Sequence, residues 1–177
     1  MQQRWLVTLQ DLSAGGRQWD ADVPQALLAD ESVGDVAPLR DLLADMHWQV
    51  RLQRAGALFR LIGSWQGVMR RQCCRCNAQF DWQMQGDTAW AFQLGERLSG
   101  TDDDASECEY LAAPGEINLI DILREDVWLS WQADVLCSAA CKGLCQSCGA
   151  DLNRETCHCR ADESDHPFAA LRNLRIE

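Results

Sequence analysis

Cysteines are the residues of this 177-residue chain best suited to chemistry, and there are ten of them. Cys73 and Cys76 form a C-x2-C pair, and Cys74 and Cys108 stand outside any regular spacing. The other six fall within 23 positions: Cys137, Cys141, Cys145, Cys148, Cys157 and Cys159. Tetrahedral zinc takes four thiolates at about 2.3 Å, and a C-x2-C turn lets two sulfurs converge on one ion. The spacing therefore predicts metal binding.

The segment 145–149, with the sequence CQSCG, has the form of a zinc-binding turn. Glycine after the second cysteine permits the positive φ that such a turn needs while backbone amides point at the sulfurs. Two pairs could supply the remaining ligands, and spacing does not choose between them: Cys137 with Cys141, and Cys157 with Cys159. Adding Cys73 and Cys76 makes eight thiols, enough for two four-cysteine sites tying the sheet to the C-terminal segment.

Other interpretations of the cysteines are buried hydrophobes, catalytic metal ligands and redox thiols. Buried thiols have no reason to cluster in sequence. A catalytic zinc needs an open position and a general base, but the chain has no zinc-protease motif and its three histidines are scattered. For Cys73 and Cys76, a buried thiol pair and a redox pair remain alternatives, although no thioredoxin-like βαβ pattern surrounds them. We therefore expect structural zinc, no catalytic residues, and His158 as a bystander.

The elements that must position these cysteines are short strands with helices between and after them. Alternation or apolar runs predict strands at Trp5–Gln10, Trp48–Gln53, Leu58–Ile62, Trp65–Arg71, Phe80–Met84 and Trp90–Phe92, with a turn at Gly63-Ser64. Helical spacing predicts helices at Gln25–Asp30 behind Pro24, at 117–131 and at His166–Leu174. The charged run Ser99–Asp104 is typical of a loop.

Together these elements predict an α+β fold. We expect an antiparallel meander sheet that could close into a barrel, with covering helices and a C-terminal cysteine-rich, zinc-ribbon-like segment. The corresponding divisions are an α+β domain over 1–135, a zinc-binding segment over 136–160 and a tail helix over 161–177. No apolar run is long enough to cross a membrane, and the N-terminus lacks the apolar stretch of a signal peptide, so we expect a soluble cytoplasmic protein.

Charge is strongly segregated along the chain. The net charge of −11 argues against a generic polyanion binder, because such binding depends on phosphate neutralisation by Lys and Arg. Residues 46–80, however, carry six arginines and no acid, whereas 81–136 carry thirteen acids and two arginines. Arg70, Arg71 and Arg75 flank the first cysteine pair and are the candidates for RNA contact. Trp48, Trp65 and Trp82 lie in the same region, but tryptophans at alternating spacing are more often core than base-stacking residues.

The cysteine-rich segment resembles the signature of the YceD-like family, the large ribosomal RNA subunit accumulation proteins of bacteria and plastids. The resemblance is specific over 136–159 and covers about two thirds of the chain. Further matches occur in the same order at Cys73-x-Arg75-Cys76, Glu116–Leu119 and Pro167–Leu171. Cys74, and Asn77 where the family tends to have an apolar residue, depart from the pattern.

The resemblance implies a role in the synthesis, processing or stability of large-subunit (23S) ribosomal RNA, and it carries over no catalytic residue. The implied partners are ribosomal RNA or the pre-ribosomal large subunit. The acidic segment 81–136 makes a basic ribosomal protein a further candidate, and we expect neither a membrane nor a small-molecule substrate. Two other functions remain open. One is a zinc-ribbon adaptor that binds only protein, and the other is a thiol redox protein that uses Cys73 and Cys76.

Overall fold

The computed structural model of the protein describes residues 4–29, 37–95 and 108–159. Nine elements carry the fold: β1 Leu6–Thr8, β2 Arg17–Val23, α1 Gln25–Leu28, β3 Met46–Ala55, β4 Leu58–Gln72, β5 Gln79–Leu94, β6 Glu109–Leu111, β7 Glu116–Asn118 and α2 Leu119–Leu129. Short 3-10 turns lie at Leu9–Asp11 and Ala37–Asp41. The predicted loop at Ser99–Asp104 and the predicted tail helix over 161–177 fall outside the described residues. Within the described ranges, no helix is long and apolar enough to span a membrane.

The described strands form an open mixed sheet of five strands in the order β2-β3-β4-β5-β6, together with the small pair β1-β7. β3 pairs antiparallel with both β2 and β4. β6 instead runs parallel to β5. The α+β class is therefore confirmed, whereas the purely antiparallel meander is only partly correct, and the described sheet does not close into a barrel. The parallel strand is possible because a long connection, and not a hairpin, leads from β5 to β6.

β4 is one continuous strand where the sequence predicted two. Gly63 pairs with Val50 inside the ladder, so the predicted turn at Gly63-Ser64 is wrong. A Cβ atom at Gly63 would lie 2.0 Å from the backbone oxygen of Gln49. The glycine therefore marks a close approach of two backbones and not a reversal of the chain. The true reversal before β4 is the two-residue turn Gly56-Ala57, where Gly56 takes a φ of 67°.

Alternating side chains of the sheet build the core. Trp48 and Trp65 sit opposite each other on β3 and β4 and are 0% and 2% exposed, which confirms that they are core residues. Helix α2 adds the buried residues Leu119, Ile120, Ile122, Leu123 and Val127 to the same cluster, as its helical spacing predicted. Its N-terminus is capped by Asn118, whose side chain accepts a hydrogen bond from the Ile120 amide at 3.1 Å.

A buried polar chain joins α2 to the sheet. The Trp48 indole donates to the Thr88 hydroxyl at 3.0 Å, and that hydroxyl donates to the Asp126 carboxylate at 2.6 Å. The Trp90 indole donates to the other Asp126 oxygen at 2.8 Å. Burial raises the pKa of Asp126 above 3.8, although the bonds from Thr88 and Trp90 oppose this shift. The network satisfies polar groups that would otherwise be costly inside the core.

The chain divides into two compact units. Unit 1 contains Met1–Arg71 and Phe80–Ala133, and unit 2 contains Gln72–Gln79 and Asp134–Glu177. Unit 2 thus takes the short connection between β4 and β5 together with the C-terminal cysteine-rich segment. Eight cysteines lie in the described part of unit 2 at the spacings noted above, with Cys74 as a ninth.

Candidate metal centres

The connection from β4 to β5 is a tight turn that presents Cys73 and Cys76, and we call it the first knuckle. The Cys73 amide donates to the Ala78 carbonyl at 2.9 Å, and the Asn77 amide donates to the Cys73 carbonyl at 2.9 Å. Asn77 has a φ of 60°, a left-handed conformation that asparagine tolerates better than most residues. These bonds reverse the chain and turn both cysteines to the same side.

The second knuckle, residues 145–150, repeats this pattern. The Cys145 amide donates to the Ala150 carbonyl at 2.8 Å, and the Gly149 amide donates to the Cys145 carbonyl at 2.8 Å. Gly149 has a φ of 75° at the position that Asn77 occupies in the first knuckle. The positive φ predicted for this glycine is confirmed, and Asn77 has the same backbone role. Two turns with the same hydrogen-bond pattern therefore present two cysteine pairs.

The cysteines of unit 2 converge in two groups of four. The first group is Cys73, Cys76, Cys137 and Cys141, and the second is Cys145, Cys148, Cys157 and Cys159. Within each group all four sulfurs lie within 4.8 Å of one another. Cys137 and Cys141 thus complete the group of the first knuckle, and Cys157 and Cys159 complete the group of the second.

The sulfur separations fit a tetrahedral metal. Cys73 and Cys141 sulfurs are 3.7 Å apart, and those of Cys76 and Cys137 are 3.6 Å apart. In the second group the Cys157 sulfur lies 3.5 Å from that of Cys148 and 3.3 Å from that of Cys145. A regular tetrahedron with metal–sulfur bonds of about 2.3 Å has edges of about 3.8 Å, whereas a disulfide bond is about 2.05 Å. Two cysteine groups could therefore hold a metal ion, and all ten cysteines are free.

The two groups differ in burial. In the first group Cys73, Cys76 and Cys141 are 2%, 8% and 3% exposed, and only Cys137 reaches the surface. The Asn153 side-chain amide lies 3.5 Å from the Cys141 sulfur and can donate to it. In the second group Cys148 and Cys159 are exposed, and Cys145 and Cys157 are half-buried. Solvent and competing ligands therefore reach the second group more easily.

In each group, the pKa values of neighbouring thiols differ widely. The pKa of Cys73 is lowered to about 6, first by a hydrogen bond from the Cys137 backbone, while contact with Cys76 and burial raise the pKa of Cys137 to about 12. In the second group the Cys148 backbone amide is the main cause that lowers the pKa of Cys145 to about 6, and contact with Cys157 raises the pKa of Cys159 to about 12. Four thiolates so close together need a cation to offset their charge.

Residues outside the two groups are also placed. Cys74 is exposed and Cys108 is half-buried in unit 1. His158 is exposed, and it is not a member of either described group. What the sequence could not provide was the assignment of the partners, because Cys76 and Cys137 are 61 positions apart. The shared motif C-x2-C followed by Asn or Gly and then Ala was a usable signal that the two knuckles are equivalent.

The three arginines predicted to contact RNA are each engaged within the protein. Arg70 is exposed and its Nε lies 3.0 Å from the Asp81 carboxylate. Arg71 is 8% exposed, with its guanidinium 3.7 Å from the Trp131 ring and 5.1 Å from the Trp82 ring. Burial lowers the pKa of Arg71 below its ordinary value. Arg71 therefore has a packing role, and only the other two of the three reach the surface.

Arg75 belongs to the first knuckle. Its side chain is exposed and donates to the Cys141 carbonyl at 3.1 Å, and its own carbonyl accepts from the Leu144 amide at 3.1 Å. The residue therefore joins the knuckle to the C-terminal cysteine-rich segment within unit 2. A change at this position would alter the first cysteine group as well as the surface charge.

Comparison with known proteins points to one family. A family model described as "Large ribosomal RNA subunit accumulation protein YceD" matches residues 61–175, which include both knuckles and all eight grouped cysteines. The "Large ribosomal RNA subunit accumulation protein YCED homolog 1, chloroplastic" of Arabidopsis thaliana is 42% identical over 65 residues. That alignment covers 35% of this chain and 20% of the relative. No solved structure matches the chain.

Proposed function

The chain belongs to the YceD family of large ribosomal RNA subunit accumulation proteins, and we propose that it supports the accumulation of large-subunit (23S) ribosomal RNA as a non-catalytic ribosome biogenesis factor. The family match over 61–175 is the observation that carries this proposal. The printed name of the Arabidopsis relative agrees with it, although the chain covers only a fifth of that protein. The proposed partners are ribosomal RNA or large-subunit precursors in the cytoplasm, where ribosomes assemble.

We further propose that each four-cysteine group binds one structural zinc ion. Zinc with four thiolates is a closed site, so the ion supplies a cross-link and leaves no position for substrate. The first ion would join the first knuckle to Cys137 and Cys141, and the second would join the second knuckle to Cys157 and Cys159. The sulfur separations of 3.3–3.7 Å support this assignment.

A metal count tests the zinc proposal. Purified protein should contain two zinc ions per chain, and Cys141→Ser should reduce the count to one. Cys74→Ser is the matched control, because Cys74 is exposed and outside both groups. It should leave two ions. Fewer than two ions in the unaltered protein, or disulfide reductase turnover by Cys73 and Cys76, would contradict the proposal and favour the redox alternative.

Complementation tests the cellular role. In a host that lacks its own family member, the protein should restore the ratio of large-subunit to small-subunit ribosomal RNA and should sediment with large-subunit precursors. An unrestored ratio, despite normal amounts of folded protein, would contradict the proposed function. A restored ratio together with cross-linking to protein and never to RNA would favour the adaptor that binds only protein, such as a basic ribosomal protein.

A further inference from the structure

One end of the sheet carries four arginines, and we call it the arginine end. It is the end where the turn Gly56-Ala57 joins β3 to β4. On one face, Arg51 sits opposite Ile62 and Arg60 sits opposite Gln53. Arg51 and Arg60 are therefore diagonal neighbours on adjacent strands, at a typical separation of roughly 7–8 Å. Both side chains are exposed.

The opposite face of the same end carries a second diagonal pair. Arg17 of β2 sits opposite Leu52, and Arg54 lies two residues further along β3. The Arg17 guanidinium lies 4.8 Å from the Trp19 ring centre, and that of Arg54 lies 5.5 Å from the Phe59 ring centre. Arg54 also donates from Nε to the Gly56 carbonyl at 3.2 Å. Both side chains are exposed, so their guanidinium groups remain accessible to a ligand.

Within the described residues, no carboxylate forms an ion pair with these four arginines. Ion pairs form instead at Arg70, Arg124 and Arg154. The acids of β2 are occupied elsewhere: Asp22 lies 2.9 Å from a His47 ring nitrogen, and Asp20 accepts from Gln49 at 3.1 Å. A positive end without such ion pairs in a chain of net charge −11 indicates an anionic partner.

We infer that the arginine end binds phosphate groups of large-subunit ribosomal RNA, an inference that rests on the proposed function for the class of partner. Guanidinium groups recognise phosphate through paired N–H donors, and all four residues are arginine. Because this end of the sheet is positively charged on both faces, an RNA strand that crosses it could place successive phosphates against the arginines. Arg70, beside the cysteine pair, is paired with the Asp81 carboxylate, whereas the contacts of Arg17 and Arg54 are with neutral groups and leave their charge in place.

The test compares two double substitutions of equal charge. Arg51→Gln with Arg60→Gln removes one of the two diagonal pairs of the arginine end. Arg70→Gln with Arg154→Gln removes two arginines that already pair with Asp81 and Asp151. Both variants should keep the stability of the unaltered protein, because all four side chains are exposed. Tryptophan fluorescence checks this for unit 1, and the reactivity of the grouped thiols checks it for unit 2, which contains Arg154.

Binding is measured with a transcript of a large-subunit ribosomal RNA domain over about 50–200 mM salt. The slope of log affinity against log salt should fall by about 1.4–1.8 in the Arg51/Arg60 variant, because each lost phosphate contact removes about 0.7–0.9. The control variant should keep the original slope. Equal slopes in the two variants would overturn the assignment of this surface. Polyglutamate serves as a second probe, an acidic polypeptide without phosphate. If the Arg51/Arg60 variant lost polyglutamate binding but kept RNA binding, the assignment would also be wrong, and the partner would be an acidic protein.

Complementation separates this inference from the proposed function. If the unaltered protein restores ribosomal RNA but does not bind the transcript, the surface assignment is wrong and the proposed function stands. If the unaltered protein does not restore ribosomal RNA, the proposed function fails, and with it the choice of RNA as the ligand. If only the Arg51/Arg60 variant loses both binding and complementation, both proposals are supported.

Discussion

Unit 1 and unit 2 are stabilised by different chemistry. In the described part of unit 1, 24 buried apolar residues form one core cluster. In the described part of unit 2, apart from Gly143, the buried residues are three cysteines and Val135. A segment with so little apolar burial gains too little free energy to offset its conformational entropy, so it needs cross-links. The comparison teaches that, in the described part of unit 2, metal ions bound by the grouped cysteines would take the place of a hydrophobic core.

Metal removal should produce the largest difference in stability between the two units. Structural zinc contributes apparent binding free energies of about 10–16 kcal/mol in small zinc-binding peptides, which is comparable to the stability of a whole domain. A strong chelator should therefore unfold unit 2 and leave unit 1 folded. All eight tryptophans lie in unit 1, so fluorescence reports unit 1, while the reactivity of the grouped thiols reports unit 2.

The expected result is a large increase in rapidly reacting thiols with a nearly unchanged fluorescence spectrum. Cys74, which is exposed, and Cys108 set the baseline before chelation. A loss of tryptophan signal at the same chelator concentration would contradict the separation of the two chemistries.

A core substitution should act on unit 1 alone. Leu123 is 0% exposed on α2, and Leu123→Ala should lower the free energy of unfolding by about 2–5 kcal/mol through lost burial and a cavity. Leu129→Ala is the control on the same helix, because Leu129 is 75% exposed and its change should stay within about 0.5 kcal/mol. Urea unfolding followed by fluorescence measures both. Loss of bound zinc from Leu123→Ala would contradict the comparison.

Features that depend on residues close together in the chain could be predicted from the sequence. Local patterns were reliable: alternation placed Trp48 in the core, helical spacing placed Leu123 on the buried face of α2, and C-x2-C spacing marked both knuckles. Gly63 misled because glycine permits either a turn or a close backbone approach, and only the partner strand decides.

Long-range partners could not be predicted from sequence. Nothing local to Cys73 indicates that its sulfur lies 3.7 Å from that of Cys141, 68 positions away. The burial of Arg71 depends likewise on Trp131, which arrives from the end of α2. Both cases require the folded chain to bring distant segments together, and this is the step at which spacing carries no information.

The two knuckles allow a matched test within unit 2. Gly149 has a φ of 75° with no atom near its missing Cβ, so Gly149→Ala should cost about 1–2 kcal/mol through backbone strain alone. Gly149→Asn should cost less, because Asn77 adopts a φ of 60° at the equivalent position. Chelator competition should show weaker zinc retention in the order glycine, asparagine, alanine. Equal retention in all three would mean that the knuckles are not equivalent.

Acidification should release zinc from unit 2, whereas the contribution of Asp126 to the stability of unit 1 should increase; the second effect is the smaller. Metal-bound thiolates must stay deprotonated, so unit 2 should lose zinc as the pH falls. In unit 1, the raised pKa of Asp126 means that the folded state binds a proton more tightly than the unfolded state. Its contribution to stability is therefore complete below 3.8 and is lost as the pH rises through the folded pKa, with a slope of at most about 1.4 kcal/mol per pH unit.

The test subtracts the unfolding free energy of Asp126→Asn from that of the unaltered protein at each pH, with fluorescence as the readout for unit 1. The difference should shift in favour of the unaltered protein as the pH falls from neutral towards 3.8, because asparagine cannot take up the proton. The other carboxylates are the same in both proteins, so the subtraction isolates Asp126. A difference that moved the other way would mean that the hydrogen bonds from Thr88 and Trp90 outweigh burial, so that the core of unit 1 holds Asp126 as a carboxylate.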